Sequence, residues 1–168
     1  SGAIAQHGVA IMALREGLEF GTTVTTDSAP LNGMVAGLLE ALGRDVHVLR
    51  DPTRGGVASV LNEIAKAAGA GVAISEAAIP VAEEVRGACE ILGLDPLYVA
   101  NEGKLLAFVA RERADEALAL LRAHRYGAEA AIVGEVTAEH PGRVVLKSRV
   151  GGRRVVDLLT GDQLPRIC

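Results

Sequence analysis

Asp51-Pro52-Thr53-Arg54-Gly55-Gly56 lies between a short apolar run, Val46-His47-Val48-Leu49, and a helix-spaced stretch from about Val57 to Ala68. This order reads as a strand-to-helix junction: Asp-Pro breaks the strand, and paired glycines allow a sharp turn with close backbone approach. The start of the helix offers backbone N–H groups that suit an anion such as phosphate. A plain turn uses the same residues, with Thr53 or a neighbour capping the helix. The spacing is neither the Walker pattern nor the dinucleotide fingerprint.

Working outward, Ala10 to Leu18 reads as the later part of a first helix, and Pro30 opens a second. Leu31, Val35, Leu38, Leu39 and Leu42 keep helical spacing until Gly43. Gly69 ends the helix that leaves the junction, and Val72 to Ser75 is a strand. A helix is expected from Pro80 to Leu92, a buried strand over Lys104 to Ala110 and a helix over Ala114 to His124. Ala131 to Val136 is a strand, and Val144 to Ser148 pairs with Arg154 to Leu158 across Gly151-Gly152, whose glycines suit a tight primed turn. Strands that arrive both after helices and as a hairpin predict a layered α+β domain with a mixed sheet. This domain is expected over residues 1–160, followed by a flexible tail over 161–168.

The length of 168 residues suits one domain that buries about 70% of its unfolded surface. Two cysteines are too few for a disulfide scaffold, and no leader pattern opens the chain, so a cytoplasmic location is expected. The longest apolar run, Leu105 to Ala110, is far short of the roughly 20 residues that span a bilayer, so no membrane association is expected. Net charge is −4, from 17 basic and 21 acidic residues, and only Phe20, Tyr98, Phe108 and Tyr126 are aromatic. That balance predicts no nucleic-acid partner. His7, His47, His124 and His140 are dispersed and neither cysteine forms a ligand pair, so no protein-bound metal is expected. Cys89 falls on the apolar side of its helix and reads as a core residue.

Two further stretches carry chemistry. Gly161-Asp-Gln-Leu-Pro-Arg-Ile-Cys168 has little apolar material to pack and places a thiol on the last residue. A thiolate is a strong nucleophile and an acceptor for acyl or carbamoyl groups, and Pro165 stiffens the base of such an arm. The plain alternative is an incidental cysteine at a frayed end. Prenylation is excluded, because Pro165 occupies the place that signal reserves for cysteine. Asn101-Glu102-Gly103-Lys104 brings a carboxylate and an ammonium to the start of a strand. Glu102 is a candidate general base there and Lys104 its electrostatic partner, unless the turn simply faces water.

Taken in order and spacing, Ser1-Gly2, His7-Gly8, Arg15-Glu16-Gly17-Leu18, the Asp51 to Gly56 turn, Asn101 to Lys104 and Pro165-Arg166-Ile167-Cys168 resemble the HypE family of hydrogenase maturation proteins. The resemblance covers nearly the whole chain. The Asp-Pro-Thr-Arg-Gly-Gly turn is shared with the wider superfamily of aminoimidazole ribonucleotide synthetases and selenophosphate synthetases, and Pro-Arg-Ile-Cys narrows it to HypE. The resemblance implies the C-terminal domain of an aminoimidazole-ribonucleotide-synthetase-like protein, joined in the whole protein to an N-terminal ATP-binding domain that this chain lacks. It implies ATP with Mg2+ bound mainly by that missing domain, so that the domain alone is inactive, and a homodimeric whole protein.

The implied activity is an ATP-dependent carbamoyl dehydratase. The carbamoyltransferase HypF loads Cys168, dehydration gives a thiocyanate, and cyanide passes to the HypC–HypD complex for the iron of [NiFe]-hydrogenase. On this reading Glu102 is the base, Lys104 its partner, and Asp51, Thr53, Arg54, Gly55 and Gly56 lie near phosphate. Ala5-Gln6 departs from the Gly-Asp often found before His-Gly, which leaves the cap of the first helix open. The alternatives are a fragment of a selenophosphate-synthetase-like or aminoimidazole-ribonucleotide-synthetase-like enzyme, neither of which needs a terminal cysteine, or a docking module without catalysis.

Overall fold

In the computed structural model, which describes residues 1–17 and 24–158, the predicted junction forms: β1 (Val46–Arg50) enters it and α3 (Gly56–Ala68) leaves it. Gly55 (φ 74°) and Gly56 (φ 62°) both take the left-handed conformation, which costs other residues about 1–2 kcal/mol. Leu18, Phe20 and the tail at 161–168, with Cys168, lie outside the described residues.

The first helix, α1, spans Gln6–Glu16 and stops at the left-handed Gly17. The helix expected after Pro30 is α2 (Asn32–Leu42), which buries Met34, Leu38 and Leu42, while Leu39 on the opposite face stays exposed. The helix expected from Pro80 is α4 (Glu83–Leu92) and begins three residues later. The Pro80 carbonyl is taken by the Ile4 N–H at 3.0 Å, and Ala82 is held extended with ψ 146°. The turn then begins at Glu83-Glu84, whose negative charges suit a helix N-terminus. The last helix, α5, covers Ala114–Ala123.

The strands form two sheets where the sequence suggested one. The first, β1 (Val46–Arg50) with β3 (Leu106–Val109), is an antiparallel ribbon. The second has the order β4 (Gly134–Thr137), β2 (Gly71–Ser75), β5 (Val144–Lys147), β6 (Arg153–Val156). It is mixed as expected: β2 runs parallel to β5, and the outer pairs are antiparallel. β4 starts three residues later than expected, because the chain before it is spent on turns, with Ala130 N–H donating to the Gly127 carbonyl. The β5–β6 connection is a three-residue loop instead of a two-residue one. Ser148 N–H donates to the Gly152 carbonyl, Gly151 N–H returns to Ser148, and Gly151 (φ 90°) absorbs the left-handed step.

The layers follow from which face each strand residue takes. Ile4, Val9 and Met12 of the N-terminal segment pack with Val57, Leu61, Val85, Val72, Ile74, Val144, Leu146 and Val156 in the main core. Leu38, Leu42 and Ala117 form a second core on α2 and α5. β3 serves both: Leu106 and Phe108 pack on the main core, Ala107 and Val109 on the second. That alternation explains why β3 reads as a continuous apolar run, since both of its faces are covered.

Two glycines of α3 separate backbone conformation from close approach. Gly69 (φ 61°) ends the helix with open space where a Cβ would stand, whereas a Cβ on Gly56 would lie 2.5 Å from the Leu97 carbonyl oxygen and 2.6 Å from that of Val99. Gly69→Ala is expected to cost about 1 kcal/mol, and Gly56→Ala at least about 2 kcal/mol more through the added collision. Urea unfolding of both variants measures this, and equal losses would refute the close-packing argument.

Candidate functional site

The chain from Leu97 to Lys104 runs between the start of α1 and the Asp51–Gly56 turn, and Asn101 ties all three together. Asn101 is 2% exposed. Its Oδ1 accepts the Ala5 N–H at 2.7 Å, and its Nδ2 donates to the carbonyls of Pro52 at 2.9 Å and Val99 at 3.0 Å. Its backbone N–H also donates to Pro52, at 3.2 Å. The side chain thus uses both ends of its amide in a buried place where an unpaired polar group would cost about 1–3 kcal/mol.

This bridge closes the open question of the first helix's cap. Ala5 sits at the N-cap in the left-handed region (φ 72°), fully buried, with no side-chain oxygen to offer. Asn101 takes the Ala5 N–H, and the Ala100 carbonyl takes the Gly8 N–H at 3.1 Å. The cap is supplied from 100–101, across the fold. The left-handed alanine costs about 1–2 kcal/mol, of which its buried methyl returns about 0.8 kcal/mol.

Beside this bridge, Gly103 and Lys104 meet the segment before α2. Gly103 (φ 68°) lies so close that a Cβ would come 2.5 Å from the Asp27 carbonyl oxygen. The Lys104 ammonium pairs with Asp27 Oδ2, both side chains being largely buried. Asp27 Oδ1 has no hydrogen-bond partner. His7, from the first turn of α1, places Nδ1 2.8 Å from Thr26 Oγ1, which lies 2.9 Å from Ser28 Oγ. A cleft of about 280 Å3 opens here, lined by Asp27, Ser28, Gly103, Lys104, Arg125 and Tyr126 among others. The Arg125 guanidinium stacks over the Tyr126 ring at 4.3 Å.

The sequence-predicted residues are distributed around this cleft and bridge. Asp51 and Arg54 are exposed on their turn, and Thr53 is half-buried with its carbonyl accepting the Gly56 N–H. The close approach expected of Gly56 is made, and it is made to the protein's own carbonyls at 97–99. Glu102 is half-buried in the turn between Asn101 and Gly103. Cys168 lies outside the described residues. Thr26, Asp27 and Ser28 escaped the sequence reading. Their one signal is the polar run Thr25-Thr26-Asp27-Ser28 ahead of Ala29-Pro30, which looks like any loop before a helix.

Residues 1–147 match the family model for AIR synthase related protein, C-terminal domain. The chain belongs to this family. All 168 residues align at 55% identity with Carbamoyl dehydratase HypE of Rhizobium leguminosarum bv. viciae, of which they cover 48%. Crystal Structure of Hydrogenase Maturation Protein HypE in complex with ATP is similar with a TM-score of 0.93 and 48% identity, over 99% of this chain and 51% of that one. Crystal structure of HypE-HypF complex is similar with a TM-score of 0.90 and 46% identity, over 94% and 51%. The chain therefore spans about half the length of the curated relatives it matches. Among the described residues no helix is long and apolar enough to cross a membrane.

Within this AIR-synthase-related domain Cys89 is a core residue, 1% exposed. Burial, and then the nearby Asp95 carboxylate, push its thiol from 9.0 up to about 11. Because the folded value is the higher one, the stability gained from a neutral thiol is complete below pH 9.0 and is lost as pH rises through about 11. In a Cys168→Ser variant, a thiol reagent at about pH 8 is expected to leave Cys89 unlabelled until denaturant is added. Prompt labelling of the folded protein would contradict the buried placement.

Proposed function

We propose that this chain is the C-terminal part of a HypE-type carbamoyl dehydratase and that Cys168 is its carbamoyl carrier. The observation that carries this reading is the 55% identity to such an enzyme over all 168 residues, an alignment that runs to the last position. Residues 1–160 form the domain, and 161–168 act as the arm that brings the sulfur to its partners. The protein works in the cytoplasm, where thiols stay reduced.

The chemistry follows from the bonds involved. A carboxamide oxygen is a poor leaving group, and a nitrile forms only when that oxygen and both N–H protons depart. The oxygen of the S-carbamoyl group takes the γ-phosphoryl of ATP, ADP leaves, and one N–H proton goes to a base. The C–O bond then breaks to release inorganic phosphate as the second N–H proton is lost, leaving Cys168 as a thiocyanate. Glu102, half-buried in the turn that precedes the cleft-lining Gly103 and Lys104, is the base. Lys104 lends positive potential there, and the Asp51 to Gly56 turn, with exposed Asp51 and Arg54, helps orient phosphate at the junction with an ATP-binding domain supplied by the rest of the protein.

ATP with Mg2+ is held mainly by that domain, in a homodimer. HypF supplies the carbamoyl group, in line with the crystallised HypE-HypF complex. The product is passed to a HypC–HypD complex as the cyanide ligand of [NiFe]-hydrogenase iron.

Incubated with HypF and carbamoyl phosphate, the full-length protein is expected to gain a carbamoyl mass on Cys168, and Cys168→Ala to gain none. Glu102→Gln is expected to load normally and then dehydrate about 10²–10⁴ times more slowly on adding ATP. Activity that survives Cys168→Ala would overturn the carrier role and favour another member of the superfamily.

A further inference from the structure

We propose that Asn101 is the positioning residue of the proposed base: it fastens the main chain just before Glu102 and so fixes that carboxylate in register with the Asp51–Gly56 turn. This inference rests on the reading of Glu102 as the base and names the group that holds it in place.

Glu102 has no tether of its own. Among the described residues its carboxylate makes no hydrogen bond and no ion pair, whereas its neighbour Lys104 is taken up by Asp27. A carboxylate without a partner is free to accept a proton, and it has no pair to break first. Its place is then set only by the main chain beneath it. A base has to stand within about 2.6–3.2 Å of the atom whose proton it takes, so the hold on that main chain decides whether Glu102 is useful.

The main chain is pinned on both sides of Glu102. Before it, Asn101 binds the Pro52 carbonyl twice, through its backbone N–H at 3.2 Å and through Nδ2 at 2.9 Å, which fills both lone pairs of that oxygen. Pro52 is itself fully buried. The second Nδ2 proton goes to the Val99 carbonyl at 3.0 Å, and Oδ1 accepts the Ala5 N–H at 2.7 Å. These partners leave the amide one orientation, because the flipped form would set Oδ1 against two carbonyls and Nδ2 against an N–H. After Glu102, Gly103 is pressed on the main chain of 27–29, where a Cβ would come 2.5 Å from the Asp27 oxygen and 2.6 Å from the Ala29 nitrogen.

Only the first of these pins reaches the turn assigned to phosphate. Pro52 is the second residue of that turn, and Gly56 at its other end rests on the Leu97 and Val99 carbonyls. The Asn101 amide therefore touches the turn and also the segment on which the turn is seated. Loss of the N–H protons and loss of the phosphorylated oxygen belong to one reaction, so the base and the phosphate turn have to be held at a constant separation. Asn101 supplies that constancy.

The test is single-turnover dehydration by the full-length protein, preloaded by HypF and carbamoyl phosphate and started with ATP, at a temperature where melting curves show the variants folded. Asn101→Ala is expected to load as the parent does and to dehydrate about 10- to 100-fold more slowly, with the half-saturating ATP concentration unchanged. Asn101→Ala/Glu102→Gln should be no slower than Glu102→Gln, because Asn101 acts through Glu102. Asn101→Asp keeps the acceptor for Ala5 and offers Pro52 a donor only when protonated, so its rate relative to the parent is expected to fall as pH rises. A parental rate in Asn101→Ala overturns the proposal, as does a double variant slowed by the product of the two single effects. Where Asn101→Ala does not fold, Asn101→Asp decides, and a constant ratio to the parent from about pH 5 to 9 overturns the proposal. A parental rate in Glu102→Gln would instead sink the base reading and this inference with it, while a slow Glu102→Gln beside a parental Asn101→Ala sinks this inference alone.

Discussion

One buried amide holds the functional end of this domain together. Asn101 gives its oxygen to the start of α1 and its nitrogen to the Asp51–Gly56 turn, so two segments far apart in sequence are fixed against the strand entry that carries Glu102 and Lys104. All three groups its side chain satisfies are backbone groups. Removing the side chain would therefore leave a buried Ala5 N–H without its acceptor, a larger penalty than the net worth of the bonds themselves. The arrangement also accounts for Ala5 in a left-handed conformation, because the tertiary bond at its N–H fixes the chain there and outweighs the local cost.

The same principle, backbone seated on backbone, recurs at Gly8, Gly56 and Gly103. The space of a Cβ is filled by neighbouring main chain at Gly56, from Leu97 and Val99, and at Gly103, from Asp27 and Ala29, while at Gly8 it is filled by the Val99 side chain and the Ala100 main chain. Three close approaches converge on the stretch from 97 to 104, which makes that stretch rigid without any regular secondary structure over 99–104. Rigidity would serve the proposed base Glu102, since a base must be held within a fraction of an ångström to be useful.

Much of this was legible in the sequence. The alternation of helix and strand signals gave the α+β class and the mixed sheet, and the glycines at 55–56, 69 and 93 marked helix ends where the structure has them. Boundaries failed where a distant contact decided them. Pro80 looks like a helix start, yet its carbonyl belongs to Ile4. The division into two sheets depends on β3 facing two cores at once, which a continuous apolar run cannot reveal. The Asp27 pairing with Lys104 was hidden for the same reason, since neither residue carries a local pattern that points to the other. His7 entered as one of four dispersed histidines and as part of a resemblance, and its hydrogen bond with Thr26 exists only in three dimensions.

Cys89 shows how the packing of a helix can take a thiol out of nucleophilic chemistry. A thiol nucleophile acts as the thiolate, and at about pH 7 a group with its pKa near 11 is ionised to roughly one part in 10⁴. Cys89 is further shut away by the packing of α4 on the main core. The inertness of this thiol needs no dedicated protecting element. It follows from burying one apolar helix face, the same burial that α4 requires to form.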